Sequence, residues 1–177
     1  GSWLNPLKQF LGLGGAGVWW PHRHIDVPST QPLSYRKRLS DAEEELAHHR
    51  QLDGGLQLFT KIGGFSGSST RTELAAGIIA ICANGPVHIG SDSRAFVDKA
   101  NELLDIMSTG DDPQDRRPWS LTNDGDLWAH FCEVVRAKGH LAIKISWVKG
   151  HAKQHHVDAG ITTHANLLGN AQADATA

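Results

Sequence analysis

Three acidic side chains and one histidine stand where the chain could hold a charged ligand. Asp92 closes the first half of PVHIGSDSRAFV (86–97), a stretch that starts like a buried strand and ends like the opening of a helix. An aspartate flanked by serines at such a junction either caps the following helix or holds something charged at the strand's carboxyl end. Glu73 lies in STRTEL (69–74), on the same helical segment as the apolar Leu74, Ile78 and Ile81. A glutamate so close to an apolar stripe is costly unless water or a cation meets it. Asp174 lies on the last helical segment, and His151 leaves the last strand in WVKGHA (147–152). Taken singly, Asp92 reads as a cap and the other two acids as solvated helix residues. Taken together, in this order and after successive strands, they form one candidate site.

The elements that must position them follow from apolar periodicity and turn residues. AGVWWP (16–21) reads as a strand stopped by Pro21, and GGLQLFTKIGGF (54–65) as a second strand with glycine flanks. TELAAGIIAICAN (72–84) has helical spacing and a C-terminal stop at Asn84-Gly85. PVHIGSD is a strand, SRAFVDKANELLDIMSTG a helix, NDGDLWAHFCEVVRAKG (123–139) an amphipathic helix, LAIKISWVKGHA a strand, and NLLGNAQADATA the start of a final helix. Helices alternating with strands at this spacing predict an α/β layer with parallel strands and helices on both faces. Residues 22–50 read as a polar insertion carrying a solvated helix, SDAEEELAHHRQL, with a Ser40/Glu43 capping-box pattern. GLGGAG (12–17) fits the spacing of a dinucleotide fingerprint. It precedes a strand instead of following one, so it reads as a glycine-rich lead into that strand. Trp147 reads as a core residue.

The bulk properties bound the classes. The chain has 177 residues, 40% hydrophobic and 20% charged, with a formal net charge of -2 and a pI of about 6.6. That length suits a single domain with a substantial core. The absence of basic excess argues mildly against a nucleic-acid binder, an objection that 11 histidines soften. No apolar run approaches a membrane span and no leader is legible, so neither membrane association nor export is expected. Cys82 and Cys132 lie in apolar helical surroundings and read as buried free thiols, which points to an intracellular setting, nucleus or cytoplasm.

STRTEL, GSDSRAFV (90–97), RPW (117–119), NDGDLW (123–128), WVKGHA and GNAQADATA (169–177) together resemble the type 1 ribonuclease H family, and AGVWWP is similar to its second strand. The resemblance runs over nearly the whole chain and is closest to retrotransposon and other eukaryotic members. WVKGHA with GNxxAD downstream is its specific part; SDS alone is weak. It implies a three-layer ribonuclease H-like fold over residues 1–177, a mixed five-stranded sheet with helices on both faces. The family's first strand ends in Asp-Gly-Ser. Gly1-Ser2 resembles the tail of that motif, so the chain is expected to lack the first strand and its metal-bridging aspartate, and to be cut short at the C-terminus too. Asp26 and Asp53 are the nearest substitutes, both in turn-like contexts.

The resemblance further implies endonucleolytic hydrolysis of the RNA strand of RNA–DNA hybrids with two Mg²⁺ ions, or Mn²⁺ in their place. Glu73, Asp92 and Asp174 are the metal ligands it implies, and His151 the proton shuttle or product-release residue. Ser69, Thr70 and Arg71 are assigned to the RNA strand and its 2′-hydroxyls, Arg117 and Trp119 to the DNA strand, and Ser93 to substrate binding. Loop packing is an equally good reading for Trp119. SST (68–70) departs from the family's asparagines, and the loop between His151 and Asp174 is long. Two other readings stand beside this one. A degenerate domain of the same fold would bind nucleic acid or serve structurally within a larger polyprotein, where a monomer is the other expectation. His151, His155, His156 and His164 would alternatively form a zinc site, though their spacing is irregular and no cysteine joins them.

Overall fold

The computed structural model describes residues 2–4, 13–25, 38–63 and 68–177. Six strands and seven helices follow in order: β1 Ser2–Leu4, β2 Leu13–Pro21, α1 Asp41–Leu46, β3 His48–Leu52, β4 Gly55–Ile62, α2 Ser69–Cys82, β5 Val87–Ser91, α3 Arg94–Ser108, α4 Pro113–Arg116, α5 Gly125–Lys138, β6 Ile143–Trp147, α6 Gln154–Asp158 and α7 His164–Thr176. The class is mixed α/β, as the alternation of periods predicts.

The sheet differs from the expected one. Strands β1-β2-β4-β3 form a four-stranded antiparallel sheet, and β5 and β6 form a separate parallel pair. The expected single five-stranded sheet is not found among the described residues, and a short strand, Ser2–Leu4, pairs with Leu13–Gly15 where the first strand was expected to be lacking. That ladder is only three residues long. It leaves residues 16–21 of β2 without a partner on that edge among the described residues, so nothing pairs β2 to β5. The expected parallel order holds only for β5 and β6. Two residues, Asp53 and Gly54, join β3 to β4, and a link that short permits only antiparallel pairing. The stretch from β5 to β6 carries α3 to α5, long enough for a parallel return.

Successive residues of β2 point to opposite faces. Ala16 and Val18 turn toward α2 and the core, where Leu56, Leu58, Leu74, Ile78 and Ile81 are also buried. Gly17 turns to the other face and meets α7. A Cβ built there would stand 2.8 Å from the Ala173 carbonyl oxygen and 2.9 Å from the Ala177 amide. Helix α7 thus lies with its backbone on the strand, a contact only glycine allows. Helix α2 is the central element, buried over most of its circumference between the sheet and α5. Its other neighbours form an aromatic knot, in which Trp128 and Phe131 meet edge to face at 5.4 Å and Phe96 packs on both. Cys82 and Cys132 are free, and burial pushes the Cys132 thiol up to about 11, which leaves it inert. Among the described residues no helix is long and apolar enough to cross a membrane.

Helix α1 corrects the reading of 22–50 as a solvated insertion. The Ser40/Glu43 capping box forms, and Ser40 Oγ also donates to the Cys82 carbonyl at 2.7 Å. Glu43 is fully buried, with both carboxylate oxygens held by the Arg23 guanidinium at 2.7 and 2.8 Å. The acidic residue that reads as solvent-facing ties this segment to Arg23, just after β2, while Ser40 ties it to the end of α2. Strand β3, within the same span, carries no apolar alternation in HHRQL and is created by its ladder with β4. Asp26 lies outside the described residues.

Candidate active site

Strand β5 turns Val87, Ile89 and Ser91 inward. At its end Ser91 Oγ donates to Glu73 Oε2 at 2.8 Å and accepts from the Ser93 amide at 3.2 Å. Ser93 Oγ in turn accepts from the Phe96 amide at 3.3 Å and caps α3. This settles what Asp92 does locally: the serine after it is the cap, and the carboxylate is left for other partners. It also gives Ser93 a structural role in place of the substrate contact assigned from the sequence.

Two elements reach Asp92 from elsewhere in the chain. Asn170 on α7 donates its amide to Asp92 Oδ2 at 3.4 Å and to Asp174 Oδ2, one turn further along, at 3.3 Å. The loop after β6 covers the other side. Val148 N bonds the Ser91 carbonyl at 3.0 Å, and Gly150 sits directly against the carboxylate. A Cβ at Gly150 would stand 2.3 Å from Asp92 Oδ2 and 3.0 Å from its Cγ. His151 follows, exposed and at φ 46°, a left-handed conformation that residues with side chains seldom adopt.

The Asp174 carboxyl is held above the usual carboxylate range, first by partial burial and then by the charges of Asp92 and Glu73, while His151 acts in the opposite sense. Gly150→Ala is expected to push Asp92 out of this arrangement and lower any activity of the site by ~10- to 100-fold, as a misplacement of about an ångström does. Steady-state kinetics beside a melting curve check this, with the midpoint expected to move much less than the rate.

The donor set is oxygen: three carboxylates, a serine hydroxyl and an asparagine amide. That chemistry fits a hard cation such as Mg²⁺. The spacing is not that of a closed cage, because among the described residues no three His, Cys, Asp or Glu side chains stand together as ligands for one ion. It fits the Mg²⁺ habit of taking one or two carboxylates and leaving the remaining positions to water and a substrate phosphate. The same finding removes the zinc reading of the four histidines among the described residues. His155 and His156 lie ring to ring at 3.9 Å, and His156 Nδ1 accepts from the Lys153 amide at 3.0 Å, so it serves as a helix cap.

A cavity of about 340 Å³ is lined by Glu73, Ser91, Asn170 and Asp174, and a separate groove of about 690 Å³ is lined in part by Thr70, Lys99, Arg116, Arg117, Trp119 and Asn123. Thr70 precedes Glu73 by one helical turn, so α2 serves groove and acids together. Thr70, Arg117 and Trp119 line this groove together, while Ser69 is exposed at the first position of α2. Arg117 also donates to the Leu121 carbonyl at 2.5 Å. Arg71 is corrected. It is 8% exposed, and its guanidinium binds Asp124, Asp126 and the Gly63 carbonyl. It ties the start of α2 to the start of α5 and positions the groove wall without facing it.

Trp147 is corrected as well. It is 38% exposed instead of core, and its Nε1 donates to the Asp92 carbonyl at 3.2 Å. The strand alternation Ile143 in, Lys144 out, Ile145 in already places 147 inward, but β6 ends there and its last residue turns to the rim. Sequence reasoning missed Ser91, Asn170 and Asn123 as functional groups. Only their places inside GSDS, GNAQAD and NDGDLW marked them. Asp53 is exposed in the β3–β4 turn and takes no part.

No family model matches the chain, and no curated protein matches it. Among solved structures it is similar to the prototype foamy virus protease-reverse transcriptase, at 18% identity and a TM-score of 0.45. That match covers 93% of this chain and 20% of the viral one, so the chain spans about a fifth of that protein's length.

Proposed function

We propose that the chain is a ribonuclease H-like domain that hydrolyses the RNA strand of RNA–DNA hybrids with Mg²⁺. The observation that carries this reading is that Ser91, at the carboxyl end of β5, holds Glu73, while Asn170 reaches both Asp92, just after the same strand, and Asp174 on α7. Mg²⁺, or Mn²⁺, when bound would supply phosphate-charge neutralisation and an activated water. Asp92 and Glu73 would hold the ion on the leaving-group side, and Asp174 would help hold the other.

The chain's own residues do the rest. Ser91 fixes the Glu73 carboxylate through one hydrogen bond, and Asn170 holds Asp92 and Asp174 together against their mutual repulsion. His151, exposed at the rim, gives or takes a proton as the leaving 3′ oxygen departs, or helps release product. Thr70, with Ser69 beside it, offers hydroxyls to the 2′-OH that distinguishes RNA. Arg117 and Trp119, together with Lys99 and Arg116, receive the DNA backbone.

The test is cleavage of a labelled hybrid by the 177-residue chain, and by the same chain with an aspartate joined ahead of Gly1, where the family resemblance places one more ligand. Mg²⁺-dependent scission of the RNA strand alone is expected, faster with the added aspartate, and a DNA duplex stays intact. Mg²⁺ by itself is expected to bind weakly and to tighten once hybrid is present. Hybrid binding without cleavage by either protein would sink the hydrolytic reading and leave a nucleic-acid-binding domain of the same fold.

A further inference from the structure

We propose that Arg94, held over the exposed ring of Trp147, is an anion contact for a nucleic-acid backbone phosphate next to the one presented to the acids. The inference rests on the nucleic-acid reading above, and it adds a subsite outside the 690 Å³ groove.

Arg94 is the first residue of α3, directly after the cap. A cation there is opposed by the positive end of the helix. It is exposed, and among the described residues none of the ion pairs includes it. What holds it is the indole: the guanidinium carbon lies 4.4 Å from the Trp147 ring centroid, well within cation–π range. The indole offers no hydrogen-bond acceptor to it, so the guanidinium keeps N–H donors for a phosphate, whose oxygens a fork of such donors can grip two at a time.

The pair is wired to the acids. Trp147 stands opposite Ser91 in the β5–β6 ladder, Ser91 holds Glu73, and the Trp147 N–H holds the Asp92 carbonyl. The ring that carries the cation is therefore fixed by the same strand end that fixes the carboxylates. A cation two residues from a carboxylate site, tied to the aromatic ring and not to an acid, is placed for a ligand that is itself an anion. Trp147 is a positioning residue in this scheme and Arg94 the contact.

Hybrid binding is measured by fluorescence anisotropy in EDTA over a salt series, with the full chain. Arg94→Gln is expected to weaken binding about tenfold, as the loss of one charged hydrogen-bonding contact does, and to lower the slope of log affinity against log salt by about 0.9. Arg94→Lys is expected to keep the slope and lose several-fold in affinity. Trp147→Phe, which keeps a ring but loses the N–H to the Asp92 carbonyl, is expected to weaken binding less than Trp147→Leu. Trp147→Leu is expected to weaken binding, with Arg94→Gln adding little on top of it, a non-additivity that a purely structural tryptophan would not give. Melting curves confirm that the variants are folded. If the wild type binds hybrid and Arg94→Gln matches it in affinity and slope, the subsite is refuted and the nucleic-acid reading survives. If the wild type binds no hybrid at any salt, both fall.

Discussion

Asp92→Asn is expected to lower Mg²⁺-dependent hybrid cleavage by more than about 100-fold while leaving the chain folded. Losing an outer-shell partner of a metal ligand already costs roughly 10- to 100-fold, and Asp92 is assigned as a ligand itself. The substitution keeps shape. The backbone carbonyl still accepts from Trp147, the space against Gly150 is unchanged, and an amide oxygen can still accept from Asn170. Only the charge is removed, so the variant separates electrostatics from packing. Stability moves the other way. Asp174 is raised by burial and by its acidic neighbours, so in metal-free buffer it favours the folded state below its ordinary range and loses that contribution as pH rises through its own titration. Removing Asp92 takes away one of the charges that raise it. In EDTA the Asn variant is expected to melt at or slightly above the wild type near neutral pH, with a shallower fall from acid to neutral. Cleavage within about tenfold of the wild type would remove Asp92 from the mechanism.

Glu43→Gln is expected to be the most damaging single change to stability away from the site. Its side chain is fully buried and that of Arg23 is 9% exposed, so the substitution strands a guanidinium that has lost its counter-charge. Breaking a buried pair on one side costs roughly 3–5 kcal/mol, a large share of the ~5–15 kcal/mol that holds a domain together. At this chain length that lowers the melting midpoint by about 10 °C. The Arg23 side chain has little to fall back on. Its Nε is buried without a partner among the described residues, and its remaining contacts are the Arg38 carbonyl at 2.8 Å and the Trp20 ring at 5.7 Å. The pair Arg23→Met with Glu43→Leu is expected to recover most of the loss, because two apolar groups of similar volume carry no desolvation penalty. Calorimetry on the single and double variants decides it. A single variant within about 1 kcal/mol of the wild type would mean that water reaches this pocket.

The prediction at Glu43 also marks where sequence reasoning failed. Helix α1 is visible in SDAEEEL from its capping box, but no periodicity tells a buried acid from a solvated one, since only Arg23, 20 residues away, makes burial tolerable. Arg71 failed for the same reason. Its place in SSTR suggested a contact to the RNA strand, and Asp124 and Asp126, more than 50 residues on, turned it into a brace. Trp147 failed at a strand end, where alternation no longer dictates a side.

Residue types and spacing did determine the α/β class, the helices that carry Glu73 and Asp174, the strand that delivers Asp92, and the family resemblance on which the functional reading leans. These are local matters: period, caps and turn residues act over a few positions. Tertiary structure alone decided the rest. It split the strands into an antiparallel four and a parallel two, because a two-residue turn and a multi-helix crossover permit different pairings. It chose Ser93 as the cap and left Asp92 for Asn170 and Gly150. It set Arg94 on Trp147. Each of these depends on which distant backbone arrives next to which side chain, and contacts of that range are fixed only when the whole chain has closed around its core.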